Sequence, residues 1–227
     1  MPKKSVQKVH NIPGLTYAIS QEVVRKDFRV AIFGSARVKK GDKSYKQIYK
    51  LAKQVGQQDF DVVTGGGPGM MEAANAGHCA GKGKGKAHSI GLPIELPFEE
   101  HINKYLDIQQ HFKHFSERLD NFMVLSHVVV ITPGGVGTCL EFFYTWQLTQ
   151  VRHISKMPII FVGRMWKGLL KWLEKPIKMG LISSQDMENV FYARNNEEAL
   201  EMILEVNQSF QQHGEKYFEN YKKYRLG

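Results

Sequence analysis

The sequence predicts an α/β fold in which a mostly parallel, doubly wound sheet carries helices on both faces. Short apolar runs alternate along the chain with longer segments whose apolar residues recur at helical spacing. Glycine or proline marks many of the boundaries between them. Strands separated by helices pair in parallel through right-handed crossovers, so helices cover both faces of the sheet. With 227 residues, 42% of them apolar, the chain can bury such a core without disulfides or metals.

The first half of the chain contains three predicted strands and two predicted helices. The strand at 28–36, FRVAIFGSA, is apolar and ends near a glycine, and the strand at 61–67, DVVTGGG, runs into glycines. The strand at 88–97, HSIGLPIELP, leads into a loop bounded by prolines. The helix at 44–58 has apolar residues at helical spacing, and the helix at 70–81 is closed by a glycine.

The second half repeats this alternation. Its first helix places four apolar side chains on one face, and the strand that follows stops at a proline. Its last helix has an asparagine cap and early glutamates. The predicted strands are 128–132, 158–162 and 190–193, and the predicted helices are 112–126, 138–151, 165–179 and 195–213.

These elements predict one Rossmann-like domain at 28–205, because no repeat or linker divides them. An N-terminal arm at 1–27 and a helical extension at 206–227 flank it.

Cys79 and Cys139 are far apart, and we expect them to be reduced thiols of a cytoplasmic protein. No apolar segment follows the N-terminal lysines, so no secretory signal is expected. No apolar run is long enough to predict a membrane span.

The net charge of +9 raises the question of a nucleic-acid partner. The two termini and one loop carry most of this charge, so the rest of the chain is nearly balanced. Solvated tails are the favoured interpretation, and a nucleic-acid surface is the alternative. The lysines of the loop GKGKGK, 81–86, are a separate case, because they could face an anionic small molecule.

Three segments with unusual composition follow predicted strands: GSAR at 34–37, TGGGPGM at 64–70 and TPGGVGT at 132–138. In doubly wound sheets, ligands bind beyond the carboxyl ends of the strands. Ser35 and Arg37 supply a hydroxyl and a cation that suit a nucleotide. The three segments therefore predict a shared phosphate or ribose pocket.

The third segment carries the sharpest signal. Its glycines let backbone N–H groups turn toward one point, and a helix that begins near Thr138 favours a phosphate at its N-terminus. The Thr138 hydroxyl can add a donor, and Glu141, in the first helical turn, would face the mouth of the site. The structural alternative is a capping box, because Thr138 and Glu141 form the motif T-x-x-E. Spacing alone slightly favours the capping box.

The other candidates are less specific. TGGGPGMMEA is not a dinucleotide fingerprint, since Met70 and Glu72 stand where the fingerprint needs glycine or alanine. It is not a P-loop either, since the motif GxxxxGK[ST] is absent. Plain strand–helix turns are the alternative there. Arg118 either extends to solvent or points at Glu141 or a phosphate. The histidines at 111 and 114 have no Cys/His cluster near them, so no metal site is expected.

The sequence resembles the Lonely Guy (LOG) family, which is often labelled lysine decarboxylase. The family motif PGGxGTxxE is complete in PGGVGTCLE, 133–141, and GGGPGMMEAANAG, 65–77, is close to the glycine-rich turn of the bacterial branch. The likeness extends over roughly 28–205. Arg118 matches the arginine of the family's arginine–lysine pair, but Leu119 replaces the lysine, which leaves any lysine contribution open. The GKGKGK insert, which replaces a shorter loop of the family, likewise leaves the substrate specificity open.

The resemblance implies hydrolysis of the N-glycosidic bond of a nucleoside 5′-monophosphate to free base and ribose 5-phosphate, without a cofactor. The substrate would be AMP-like or a cytokinin riboside monophosphate. The resemblance also implies a homodimer, or a higher homo-oligomer, with sites near the interface. Lysine decarboxylation is not expected, because no motif marks a lysine for a pyridoxal Schiff base.

By this resemblance, Glu141 stabilises positive charge on the ribose, and Arg118 keeps Glu141 ionised and in position. The expected substrate or phosphate contacts are Ser35, Arg37, Gly66, Gly67, Met70, Glu72, Gly134, Gly135, Val136, Gly137 and Thr138. Two rival functions remain. One is a nucleotide-binding regulator without catalysis, which the loss of the lysine favours. The other is a nucleic-acid-associated protein that uses its basic ends.

Overall fold

A computed structural model of the chain describes residues 27–96 and 101–213. They form one parallel sheet between two layers of helices. Strands β1 to β7 are Arg29–Phe33, Asp61–Thr64, Ser89–Gly91, Ile108–Gln109, Val128–Ile131, Ile159–Val162 and Val190–Ala193. Helices α1 to α6 are Lys43–Gln57, Met70–Lys82, Phe115–Leu125, Val136–Gln150, Trp166–Lys178 and Asn196–His213, and a 3₁₀ helix spans Ser184–Met187.

The strand order across the sheet is β4-β3-β2-β1-β5-β6-β7, and every neighbouring pair is parallel. From β1 the chain winds outward in one direction through β2, β3 and β4. It then returns to the other side of β1 and winds outward through β5, β6 and β7. The winding therefore reverses between β1 and β5, which is where ligands bind in sheets of this kind. The doubly wound α/β prediction is confirmed.

The sheet is buried on both faces. Along β1, Val30 and Ile32 pack with side chains of α1, α2 and α6, whereas Ala31 and Phe33 pack with side chains of α3, α4 and α5. Both sets of side chains are almost fully buried. This explains why the central strands are continuously apolar in sequence instead of alternating between apolar and polar residues.

Each predicted strand and helix has a counterpart, but the edge of the sheet differs from the prediction. The strand predicted at 88–97 is only three residues long, and its last predicted residue lies outside the described part of the chain. The two-residue strand β4 was not predicted. Pairing with β3, not a local pattern, makes it a strand. The domain boundaries stay predictions, because residues 1–26 and 214–227 also lie outside the described part.

The lysine-rich loop lies at the opposite edge of the sheet from the strand-end segments. It connects the end of α2 to the start of β3, and such connections lie at the amino ends of parallel strands. Lys82 Nζ donates to Ala87 O at 3.0 Å and forms an ion pair with Asp107. The loop therefore does not line the strand-end site, and an anionic small molecule at the loop itself stays a prediction. Among the described helices, none is long and apolar enough to cross a membrane.

Candidate active site

The three segments singled out in the sequence meet at the carboxyl edge of the sheet. Because β1 and β5 are neighbours, the chain leaving β1 runs beside the chain leaving β5, and Ser35 N donates to Pro133 O at 3.1 Å. The start of α2 joins them, since Met70 N donates to Ser35 O at 2.9 Å. The long-range pairing of strands thus brings together turns that lie about 100 residues apart in sequence.

The turn after β2 is held by a buried polar network. Gly66 has a φ of +74°, a conformation that glycine adopts at little cost. Its N–H donates to Thr64 Oγ1 at 3.0 Å, and that hydroxyl donates to Asn75 Oδ1 at 2.8 Å. Asn75 Nδ2 in turn donates to Ser89 Oγ at 2.8 Å. The glycine turn is therefore fixed to both α2 and β3.

Asn103 closes this network from the segment between β3 and β4. Its Nδ2 donates to Gly66 O and Gly67 O, each at 3.0 Å, and to Asn75 Oδ1 at 2.9 Å. Its backbone N–H also donates to Gly66 O at 2.9 Å. Asn103 is not among the residues predicted from the sequence. No local signal marks it, whereas Asn75 lies inside the GGGPGMMEAANAG stretch and could have been singled out.

We expect Asn103→Ala to lower the free energy of unfolding by about 1–3 kcal/mol, because it leaves buried Asn75 and the carbonyl of Gly67 short of a donor. Chemical denaturation measures this loss. Lys104→Ala, at the exposed neighbouring position, is the control and should change the stability by less than about 0.5 kcal/mol. Equal effects of the two changes would show that the network does not hold the turn.

Arg118 points into the protein from α3. Its side chain is only 9% exposed, and Nε donates to Leu92 O at 2.7 Å. Its guanidinium lies 5.1 Å from the centre of the Phe122 ring and contacts the backbone of Gly65 so closely that a Cβ there would lie 2.2 Å from Nη2. The alternative that Arg118 extends to solvent is therefore wrong. The guanidinium instead lies against the glycine turn after β2.

Glu141 forms an ion pair with this guanidinium. Oε1 lies 3.5 Å from Arg118 Nη1, and the Glu141 side chain is 11% exposed. The ion pair thus links the two glycine-rich turns, one through Gly65 and the other through α4. The sequence predicted both residues as catalytic, and the structure brings them together.

The capping box between Thr138 and Glu141 is not formed. Helix α4 begins at Val136, two residues earlier than predicted, and Cys139 N donates to Gly135 O at 3.0 Å to close its first turn. Thr138 therefore lies inside the helix and Glu141 in the second turn, not the first. Within the described residues, no side chain caps α4. The Glu141 carboxylate is consequently available to Arg118.

Burial dominates the acidity of Glu141. Withdrawal from water disfavours the carboxylate and raises the pKa of Glu141 to about 7, while the positive charge of Arg118 opposes this rise. Glu141 therefore changes protonation state near neutral pH. Perturbed carboxylates of this kind are characteristic of general acid–base sites, although structural ion pairs show them too.

The turn between β5 and α4 is open to solvent. Gly135, Val136 and Gly137 are exposed, and Val136 is 88% exposed. Among the described residues, nothing lies within 4 Å of where a Cβ would stand at Gly135 or Gly137. No neighbour within the described part of the chain therefore demands glycine at these two positions. Thr138 is buried, and its hydroxyl contacts Gly134.

The remaining candidates follow β1 or lie at the start of α2. Ser35 Oγ accepts a hydrogen bond from Arg37 N at 3.1 Å, and the Arg37 side chain is exposed. The Met70 side chain is fully buried against Gly34, so it supports the site from within the core. Glu72 pairs with Lys40 Nζ at 2.8 Å at the start of α2. In the described part of the chain, no group of three His, Cys, Asp or Glu side chains could hold a metal ion.

A family model described as "Possible lysine decarboxylase" matches residues 71–203, which is more than half of the chain. The chain belongs to this family. The match includes α3, α4 and the motif PGGVGTCLE, so it covers Arg118 and Glu141. The resemblance to the LOG proteins that the motifs indicated is thereby confirmed.

Curated relatives are similar over part of their length. The pyrimidine/purine nucleotide 5′-monophosphate nucleosidase of Escherichia coli strain K12 is 27% identical over 128 residues. The alignment covers 54% of this chain and 28% of the relative, so the chain spans less than a third of that protein. The protein of the same name from strain O157:H7 matches equally well.

Solved structures confirm the fold. The molybdenum cofactor carrier protein of Chlamydomonas reinhardtii has a TM-score of 0.59 and 18% identity, over 80% of this chain and 99% of that one. The molybdenum cofactor binding protein of Rippkaea orientalis has a TM-score of 0.57 and 21% identity, over 81% and 98%. At such identities the likeness concerns the architecture alone.

Proposed function

We propose that the protein hydrolyses the N-glycosidic bond of a nucleoside 5′-monophosphate and releases the base and ribose 5-phosphate. The observation that carries this proposal is the buried Arg118–Glu141 ion pair beside an open glycine turn at the winding reversal of the sheet. The relatives named nucleotide 5′-monophosphate nucleosidase support the same reaction class. The lysine decarboxylation that the family description suggests has less support. Lys40, which pairs with the candidate substrate contact Glu72, is exposed.

The 5′-phosphate is proposed to bind at the turn 134–137. Backbone N–H groups at the start of α4 and the positive end of the helix dipole favour an anion there. The exposed glycines let a phosphate approach the backbone closely, and this accounts for glycine at positions that no described neighbour constrains. Arg37, at the end of β1, would add a cation at the rim of the site.

The ionised Glu141 would then act on the ribose. As the bond from C1′ to the base nitrogen breaks, the base leaves with the electron pair, and positive charge develops on the ribose ring. The carboxylate stabilises that charge and takes a proton from the water whose oxygen bonds to C1′. The departing base takes up a proton in exchange. Arg118 orients the carboxylate and opposes the rise in its pKa.

Base release from a panel of nucleoside monophosphates tests this proposal. Purified protein is incubated with AMP, a prenylated adenine riboside monophosphate and pyrimidine monophosphates, and free base is measured by chromatography. We expect free base from at least one of them, with a phosphorylated ribose as the second product. Binding of a nucleotide without base release would instead support a regulator without catalysis.

The rate of base release should rise with pH through about 7. Only ionised Glu141 stabilises the developing cation, and the folded-state pKa of its carboxyl group is raised to about 7. Below that pH, kcat/KM should fall about tenfold per pH unit, as for a single essential base. The substrate phosphate titrates as well, so the profile should be divided by the residual profile of Glu141→Gln. A flat ratio between pH 5.5 and 8 would contradict the assignment.

We also propose that two copies associate through α4. Val136, Leu140 and Phe143 lie on one side of this helix at spacings of four and three residues and are 88%, 44% and 38% exposed. Phe115, at the start of α3, is 48% exposed. An apolar contact between the α4 helices of two copies would place each site near the interface, as the family resemblance implies. Analytical ultracentrifugation should give twice the mass of one 26.0 kDa chain, and Leu140→Asp should halve it.

A further inference from the structure

On one side of α5, an apolar row is exposed among the residues that the structure describes. Met165, Trp172 and Met179 follow one another at seven-residue spacing, so their side chains lie along one line of the helix and its two ends. Met165 and Trp172 are each 52% exposed, and Met179 is 71% exposed. Leu181, just beyond the helix, is 69% exposed. A group of exposed large apolar side chains marks an interaction surface, whereas single ones do not.

A row of cations runs beside these apolar side chains. Lys167, Lys171, Lys175 and Lys178 lie at spacings of four, four and three residues, which places them on one face, and all are exposed. The sequence of α5 contains one acidic residue, Glu174.

A different side of α5, about 100° around the helix from Trp172, already anchors it. Trp166 and Leu173 are buried in the core that packs against the sheet. The exposed tryptophan and methionines are therefore not needed to hold the helix in place. The lysines of α5 do not stabilise one another, because like charges at helical spacing repel. Lys167 Nζ lies 5.6 Å from the centre of the Tyr192 ring, whereas Lys171, Lys175, Lys178 and the apolar row are exposed in the described part of the chain. These exposed groups can contact a partner that offers negative charge and apolar surface together.

We propose that α5 docks the protein on an anionic lipid surface. An amphipathic helix with tryptophan on its apolar side and lysines beside it lies in the plane of a membrane, with the apolar side chains among the headgroups. The lysines then meet the negative potential of the lipid phosphates. Fourteen residues separate Met165 from Met179, so the apolar row is about 21 Å long and can lie flat on the surface.

Other occupants fit these observations less well. A second copy of the chain, meeting this face about a two-fold axis, would bring two lysine rows together, and like charges would oppose the contact. An acidic polypeptide would pair with the lysines, but it would need a groove for tryptophan and two methionines that project from a convex helix. The boundary region of an anionic bilayer accommodates both rows at once.

Vesicle co-sedimentation of the full chain tests the proposal. We expect the protein to sediment with vesicles that contain phosphatidylserine and to stay in solution with vesicles of phosphatidylcholine alone. The charge-reversed variant Lys171→Glu/Lys175→Glu should bind at least about tenfold more weakly, because the attraction is summed over lysines. Trp172→Ser should bind more weakly without any change in charge.

Lys46→Glu/Lys50→Glu, on α1, is the matched control. It makes the same change in net charge and keeps the basic termini, so it should retain vesicle binding if α5 is the docking face. Equal losses in the two double variants would overturn the proposal in favour of general attraction to a basic protein. Absence of sedimentation, together with retention on polyglutamate that only Lys171→Glu/Lys175→Glu loses, would overturn it in favour of an acidic polypeptide.

Discussion

Glu141→Gln is expected to lower the rate of adenine release from AMP by about two to four orders of magnitude while the protein stays folded. Glutamine keeps the size of the side chain and can still accept a hydrogen bond from Arg118, but it carries no negative charge to stabilise the ribose cation. It also cannot take a proton from water. Chromatography of the released base gives the rate, and circular dichroism verifies the fold.

Glu117→Gln is the matched control for this change. Glu117 is exposed on the first turn of α3, next to Arg118 in sequence, and it makes the same chemical change without touching the ion pair. Its turnover should equal that of the unchanged protein. Wild-type turnover in folded Glu141→Gln would remove Glu141 from the mechanism. Loss of activity in both variants would show that neither result reports on the site.

Arg118→Ala is expected to abolish base release and to cost about 3–5 kcal/mol of stability, because it leaves the carboxylate of Glu141 buried without its cation. The loss of Arg118 should also raise the pKa of Glu141 further above 7, so that less of the carboxylate is ionised at neutral pH. Turnover at several pH values and chemical denaturation measure the two effects. Arg164→Ala, at an exposed position, is the control.

A double variant separates two roles of Arg118. If the arginine acts through Glu141, then Glu141→Gln combined with Arg118→Ala should be no slower than the slower single variant, since coupled residues are not additive. If the arginine also contacts the substrate, the two losses should multiply. Arg118→Lys adds a second comparison, because a lysine keeps the charge but cannot present the planar fork that reaches both Leu92 O and Glu141.

Local patterns were sufficient for the order of the helices and of every strand except the edge strand β4, and for the position of the strand-end turns. The apolar runs of β1 and β5, and the helical spacing in α1 and α3, follow from burial on one or two faces, which nearby residues already reveal. The start of α4 was harder. Glycine at 137 weakens the helix signal, so the helix was predicted to begin near Thr138, whereas the turn after β5 lets it begin at Val136.

The sequence by itself determined the doubly wound order of elements, the glycine turns beyond β1, β2 and β5, and the motif that contains Glu141. These are properties of short stretches. Only the tertiary structure decided that Arg118 points inward, that Glu141 pairs with it and not with Thr138, and that Asn103 holds the glycine turn. The contacts of Arg118 with Glu141 and of Asn103 with the glycine turn join residues 23 to 37 positions apart. No local periodicity encodes a contact that parallel strand pairing creates.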